Sequence, residues 1–309
     1  MRLIVLLILL GSHVIAQTRF IDSVVKEGSE WKGRETQTLI DIEVKPITND
    51  SLTPFGGLAV GKREATGFFR TEKINQRWWM IDPEGGRFIF SGVCSVKPQD
   101  EFAATESFNR LYGSKKIWTD KTLENFRDLG FAGVGGFSDH ETLRSASKPM
   151  PYTITLKLMS TFAKSLNLTH QASGHTGYDL DCLPVFHEAF EKSCLEQCKK
   201  HLNAMKDDPW LVGVFSDNEL PIAKDMLDRM LQLDDSQRGY ENMKAAAKAF
   251  MIDKGEINDE IRRQFVEQVY DKYFRITTQA IRAVLPHHLC LGSRFHGPRS
   301  EERRVGKEC

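Results

Sequence analysis

Three places in this 309-residue sequence put polar, chemically able side chains directly after an apolar run. In the first, Asn218 and Glu219 follow Leu211-Val212-Gly213-Val214-Phe215-Ser216-Asp217. The second is Gly136-Phe137-Ser138-Asp139-His140, and the third is Gly292-Ser293-Arg294-Phe295-His296. A carboxylic acid beside a side-chain amide suits hydrolysis of a glycosidic bond. Glu219 can protonate the departing oxygen and later activate water, while Asn218 can hydrogen-bond the hydroxyl next to the reacting carbon. The dipeptide alone also fits a helix start, with Asp217 or Asn218 as the cap and Glu219 in the first turn. His140, Arg294 and His296 are the candidate substrate-binding groups around Glu219. Their plainer alternatives are a capping Asp139, a surface His140 and an Arg294 held in an ion pair. Trp78 and Trp79 could stack on sugar rings, but core packing is the favoured reading. Trp118 and Trp210 are assigned to packing. Cys194 and Cys198 share a helix face without a second Cys or His pair at ligand spacing, so they read as buried thiols and no metal is expected.

Positioning these groups requires the elements around them. From residue 87 onward, apolar strand-like runs alternate with helical patterns. Strands are expected at Arg87–Val96, Phe131–Phe137, Tyr152–Met159, Leu211–Phe215 and Leu289–Phe295. Helices are expected at 119–129 with Thr119 as N-cap and Gly130 as stop, at 186–205, 222–233 and 240–251, and at 258–284, ended by Pro286. Near-continuous apolar strands separated by helices predict a parallel α/β fold. No glycine-rich phosphate or dinucleotide fingerprint follows any strand, which weighs against a Rossmann or P-loop protein. A (β/α)8 TIM barrel fits best, with about strands 1–5 present, and its active site belongs at the C-terminal strand ends. Before it, residues 17–86 read as a small β-rich segment. This segment includes a hairpin across Ile74-Asn75-Gln76 and a turn at Asp82-Pro83-Glu84-Gly85-Gly86. The barrel itself is placed at 87–298.

The two ends read differently from the middle. Met1-Arg2, the apolar run Leu3–Leu10 and the small or apolar residues Val14 and Ala16 form a secretory signal over residues 1–16, too short to span a bilayer. The chain is therefore expected to be secreted, extracellular or periplasmic, and free of the membrane after cleavage. Residues 299–309 lack apolar periodicity and match the conceptual translation of a common sequencing adapter, so they read as an artefactual tail. With 42 basic and 42 acidic residues the chain offers no charge reason to bind nucleic acid.

The stretches TGFFRTEKINQRWWMIDPEGGRFIFSGV, LVGVFSDNELP and AIRAVLPHHLCLGSRFHG resemble β-agarases and, more broadly, the retaining (β/α)8 glycosidases. The resemblance runs from about Thr66 to Pro298. It implies a retaining hydrolase acting on a polysaccharide or oligosaccharide without a cofactor, with Glu219 as acid/base and Asn218 as its sugar-binding neighbour. The family's nucleophile, a second Glu near the seventh strand, has no counterpart here, so the 309-residue chain is expected to be an inactive fragment. A non-catalytic carbohydrate-binding protein or a decayed glycosidase is the alternative. A structural or interaction domain would require the polar strand ends to face apart.

Overall fold

The computed structural model describes residues 19–23, 30, 32–36, 51–98, 102–172, 176–234 and 239–295. The signal-like segment, His296 and the tail from 299 lie outside these residues. The chain divides into two compact units, residues 1–49 and 50–309. The described part of the first is an antiparallel hairpin of β1 (Arg19–Ser23) and β2 (Lys32–Thr36).

In the second unit, β3 (Arg70–Ile74) and β4 (Arg77–Ile81) form the expected hairpin. Asn75 and Gln76 both take positive φ, as a tight turn between twisted strands demands. The expected strand Arg87–Val96 is split. β5 (Arg87–Phe88) pairs antiparallel with β4, and β6 (Gly92–Val93) pairs parallel with β7 (Gly133–Val134). The chain therefore changes sheets at Ile89–Ser91. Phe55, Phe69, Phe88 and Val212 pack together there, with Phe90, Ala132, Trp210 and Leu289 against them. Trp210, Ala132 and Leu289 lie at the N-terminal ends of parallel strands, so the β3–β5 sheet covers that end and leaves the opposite end to the polar residues. The turn after β4 is held by Asp82, fully buried, which accepts hydrogen bonds from the Thr53 hydroxyl and from the Glu84 and Gly86 N–H groups. Gly57 and Gly86 leave the space it occupies; a Cβ on Gly57 would stand 2.2 Å from its Oδ2. Asp82→Ala leaves those buried donors without a partner and is expected to cost about 1–3 kcal/mol, read from the denaturant midpoint.

The parallel sheet runs β6, β7, β8 (Tyr152–Thr155), β11 (Leu211–Phe215) and β12 (Leu289–Cys290), in chain order. Every neighbouring pair is parallel. The connections carry α1 (Phe102–Leu111) and α2 (Lys115–Asp128), then α3 (His140–Arg144). Next come α4 (Leu158–Ser165), the small hairpin β9 (Thr169–Gln171) and β10 (Thr176–Tyr178), and α5 (Phe190–Leu202). The last connection holds α6 (Met226–Leu231), α7 (Glu241–Phe250) and α8 (Asp259–Val284). The α/β class and the parallel sheet therefore agree with the sequence reading.

Helix α2 begins four residues before the expected start, because the Ser114 hydroxyl caps the Ile117 N–H while Thr119 is buried inside the helix. Gly130, at φ +78°, follows its end. The third strand stops at Thr155 instead of reaching Met159, because Leu158 already starts α4. The expected helix at 186–205 narrows to α5 followed by a short 3-10 turn. Phe190, Cys194, Cys198 and Leu202 are its fully buried stripe, so both thiols sit in the core. They face α8, whose buried stripe includes Phe265, Val269, Tyr273, Ile276 and Ile281. Each such side chain contributes about 1.5–3 kcal/mol through burial. Asn258 caps α8, and Pro286 follows its end.

Candidate active site

Past Phe215 the β11–β12 pairing becomes irregular but does not stop. The Ser216 N–H and hydroxyl both donate to the Gly292 carbonyl, at 2.7 and 3.0 Å. Asn218 and Arg294 form an isolated parallel bridge: the Arg294 N–H donates to the Asp217 carbonyl at 3.0 Å, and the Glu219 N–H to the Arg294 carbonyl at 2.8 Å. These two bonds hold Glu219 in a left-handed conformation, φ +55°, unusual for a residue with a side chain. Asn218 and Glu219 are half-buried. Tyr270 on α8 donates its hydroxyl to the Pro221 carbonyl just beyond, at 2.5 Å, and Leu220 is buried.

Arg294 extends its side chain over Phe137 and Phe215, 4.9 and 5.9 Å from the ring centroids. No carboxylate pairs with it among the described residues, so the ion-pair alternative is not what holds it. Its Nη1 is buried without a partner, as are the Thr155 and Ser293 hydroxyls. Gly136 makes room for this arrangement; a Cβ there would lie 2.4 Å from Thr155 Oγ1 and 3.3 Å from Arg294 Nη1. Unsatisfied donors and acceptors at neighbouring strand ends suit a ligand rich in hydroxyls, because such a ligand supplies the missing hydrogen bonds.

The acids near these strand ends have different work. Asp139 caps α3, accepting from the Thr142 N–H at 3.2 Å and its hydroxyl at 2.8 Å. The Asp217 carboxyl turns away from Glu219. It accepts from the Met159 N–H at 2.9 Å and the Ser160 N–H at 3.4 Å in the first turn of α4, and it meets the Tyr273 hydroxyl at 2.7 Å. Asp217 is thus a cap for a helix remote in sequence, and Glu219 is the remaining acid at this strand end.

The structure brings together Asn218, Glu219 and Arg294 from the expected set; His296 lies outside the described residues. His140 shares a cavity with Thr155 and not with Glu219. Its ring stacks on Tyr152 with centroids 6.4 Å apart, and it borders a cavity of about 780 Å³ between α3, β8, α4 and α5. That cavity is lined also by Thr155, Arg144, Lys157, Gln197 and His201, and its lining does not include Asn218, Glu219 or Arg294. Burial holds the His140 imidazole below the usual histidine range. The tryptophans of β4 are also distant from the site, on the sheet that covers the other strand ends. Trp78 is 67% exposed, against the packing expectation, and Trp79 lies beneath Arg77 and Arg87. Trp118 and Trp210 pack against the core as expected. Sequence reading missed Thr155 and Tyr273, and took Ser293 only as part of the Gly292–His296 stretch. Thr155 carries no local signal, and Tyr273 is marked only by its place on the apolar stripe of α8.

No protein-family model matches the chain. A curated relative, β-agarase B of Vibrio sp. (strain JT0107), is 23% identical over 87% of this chain and 39% of its own length. The crystal structure of BpGH50 superposes with a TM-score of 0.71 at 26% identity, covering 91% of this chain and 66% of that one. The chain is β-agarase-like. The crystal structure of the agarase AgWH50C shares the fold at a TM-score of 0.63 and 21% identity, over 83% of this chain and 46% of its own. The chain thus spans well under half of its curated relative and about two thirds or less of these solved neighbours. The three stretches that carry the resemblance in sequence fall on the β3–β5 sheet with β6, on the end of β11, and on α8 with β12. The last two of these supply the Asn218–Arg294 bridge.

Proposed function

We propose that this chain carries the acid/base half of a secreted, retaining glycoside hydrolase acting on an agar-type polysaccharide. Its five parallel strands are read as strands 1–5 of a (β/α)8 barrel. Glu219 protonates the glycosidic oxygen as the bond breaks and then takes a proton from the water that releases the sugar. Asn218 holds the hydroxyl beside the reacting carbon, and Arg294 and His296 bind further hydroxyls. The observation that carries this reading is the half-buried Glu219 at the C-terminal end of the fourth parallel strand, fixed on both sides by the Arg294 backbone.

Retention needs a second carboxyl about 5–5.5 Å away to form the glycosyl-enzyme. Asp217 and Asp139 are both committed to helix caps, so neither fills that role. The second group is proposed to come from outside the described residues. The test pairs calorimetry with agar-derived oligosaccharides and reducing-end release from agarose. The 309-residue chain is expected to bind the oligosaccharides without releasing reducing ends. Absence of binding overturns the carbohydrate reading, and sustained release overturns the claim that the second carboxyl is missing.

A further inference from the structure

Directly behind Glu219, Asp217 joins three oxygen-to-oxygen contacts in series. Asp217 Oδ2 lies 2.7 Å from Tyr273 Oη, Tyr273 Oη lies 2.8 Å from Ser216 Oγ, and Ser216 Oγ lies 3.0 Å from the Gly292 carbonyl oxygen. Each contact needs one hydrogen, but the tyrosine and serine hydroxyls supply two between them. A proton on Asp217 completes the series: Asp217 donates to Tyr273, Tyr273 to Ser216, and Ser216 to Gly292. With Asp217 ionised, Tyr273 must donate to it, and the single Ser216 hydrogen leaves one short contact empty.

The surroundings favour the same state. Asp217 is 1% exposed, and Ser216 and Tyr273 are fully buried. The titratable groups facing Asp217 are Tyr273 from α8, Tyr178 from β10, and Cys194 and Cys198 from α5. α4 presents backbone N–H groups, and none of the facing side chains is basic. An ionised Asp217 would be a buried charge without a counter-ion. We propose that Asp217 is held as the neutral acid in mildly acidic solution and, by donating to Tyr273, is the positioning residue that locks the Asn218–Glu219 peptide against β12. The catalytic purpose of that positioning rests on Glu219 being the acid/base, whereas the proton and the locking are measurable without it.

Burial pushes the Asp217 carboxyl up to about 7, against the hydrogen bonds donated by the Met159 and Ser160 N–H groups and the contact with the Tyr273 hydroxyl. In the unfolded chain an aspartate titrates near about 3.9. Between those values the folded chain holds a proton that the unfolded chain has released. The stability contributed is therefore complete below about pH 4, falls as pH rises, and is gone above about pH 7.

The experiment is a carbon-13 titration of aspartate-labelled chain, with Asp217→Asn to assign the signal. It is combined with amide hydrogen exchange on both proteins and on Asp217→Ala. One carboxyl is expected to titrate near 7 and to vanish in Asp217→Asn, and the difference in stability between the two proteins should follow the slope above. The side-chain amide introduced by Asp217→Asn can donate to Tyr273 as the neutral acid does. Glu219 and Arg294 amide exchange should therefore match the unaltered chain in Asp217→Asn and quicken by about tenfold in Asp217→Ala, with β8 unchanged. The proposal is overturned if every aspartate titrates in the ordinary carboxylate range, or if Asp217→Asn loosens the Glu219 and Arg294 amides. Should Asp217→Ala not fold, the titration and the Asp217→Asn variant still decide.

Discussion

Glu219→Gln is expected to lower turnover of agar-type polysaccharide by about 10²–10⁴-fold in the gene's full product, the range that a positioned proton donor contributes. The effect falls on kcat. Glutamine keeps the size of the side chain and its acceptor oxygen, so KM and oligosaccharide affinity should change little. The backbone bonds that place residue 219 come from its own N–H and from Arg294, not from the carboxyl, so the φ of +55° survives the change. A protein that used this strand end only to bind sugar would show the same affinity in both forms and no turnover in either. The variant therefore separates hydrolase from binding module when steady-state kinetics and calorimetry are run side by side.

The second large effect is on stability. Tyr273 is fully buried in α8, packs edge-on against Phe274 at 5.0 Å, and joins Ser216 and Asp217 through its hydroxyl. Tyr273→Ala opens a ring-sized cavity and is expected to cost about 3–5 kcal/mol. Tyr273→Phe keeps the ring and removes the hydroxyl alone, at about 1–3 kcal/mol for the partners left unsatisfied. Urea unfolding followed by tryptophan fluorescence measures both. Similar midpoints for the two variants would mean that the hydroxyl, rather than the ring, dominates.

How far the sequence foretold this arrangement depends on the range of the interactions involved. β11 matches its expected bounds because it is a continuous apolar run followed by polar residues, and α8 begins and ends within a residue of expectation because it has helical periodicity, an Asn cap and a following proline. α3 was not foreseen: five residues hold too few turns for a periodic signal. β6, β7, β8 and β12 are shorter than the apolar runs that contain them, because those runs continue past the point where the parallel ladder gives way to single bonds and bridges. At the site, Asn218, Glu219 and Arg294 were legible as polar groups ending apolar runs. The commitment of Asp217 was not, since its partners Met159 and Tyr273 lie 58 and 56 residues away. The location of His140 after β7 was legible, but the stacking of its ring on Tyr152, twelve residues on, was not. Likewise nothing local distinguishes an exposed Trp78 from a packed one.

The most direct test of the role assigned to Glu219 is the product formed when azide is added to the Glu219→Gln form of the gene's full product with an activated aryl glycoside. The activated leaving group departs without an acid, so the second carboxylate can still form the glycosyl-enzyme. Without its base, water attack stalls. Azide needs no base: it bonds to the anomeric carbon and displaces the carboxylate. A faster reaction giving a glycosyl azide of retained configuration is the predicted result. A variant as active as the unaltered enzyme, indifferent to azide and yielding no glycosyl azide, would contradict the assignment of Glu219.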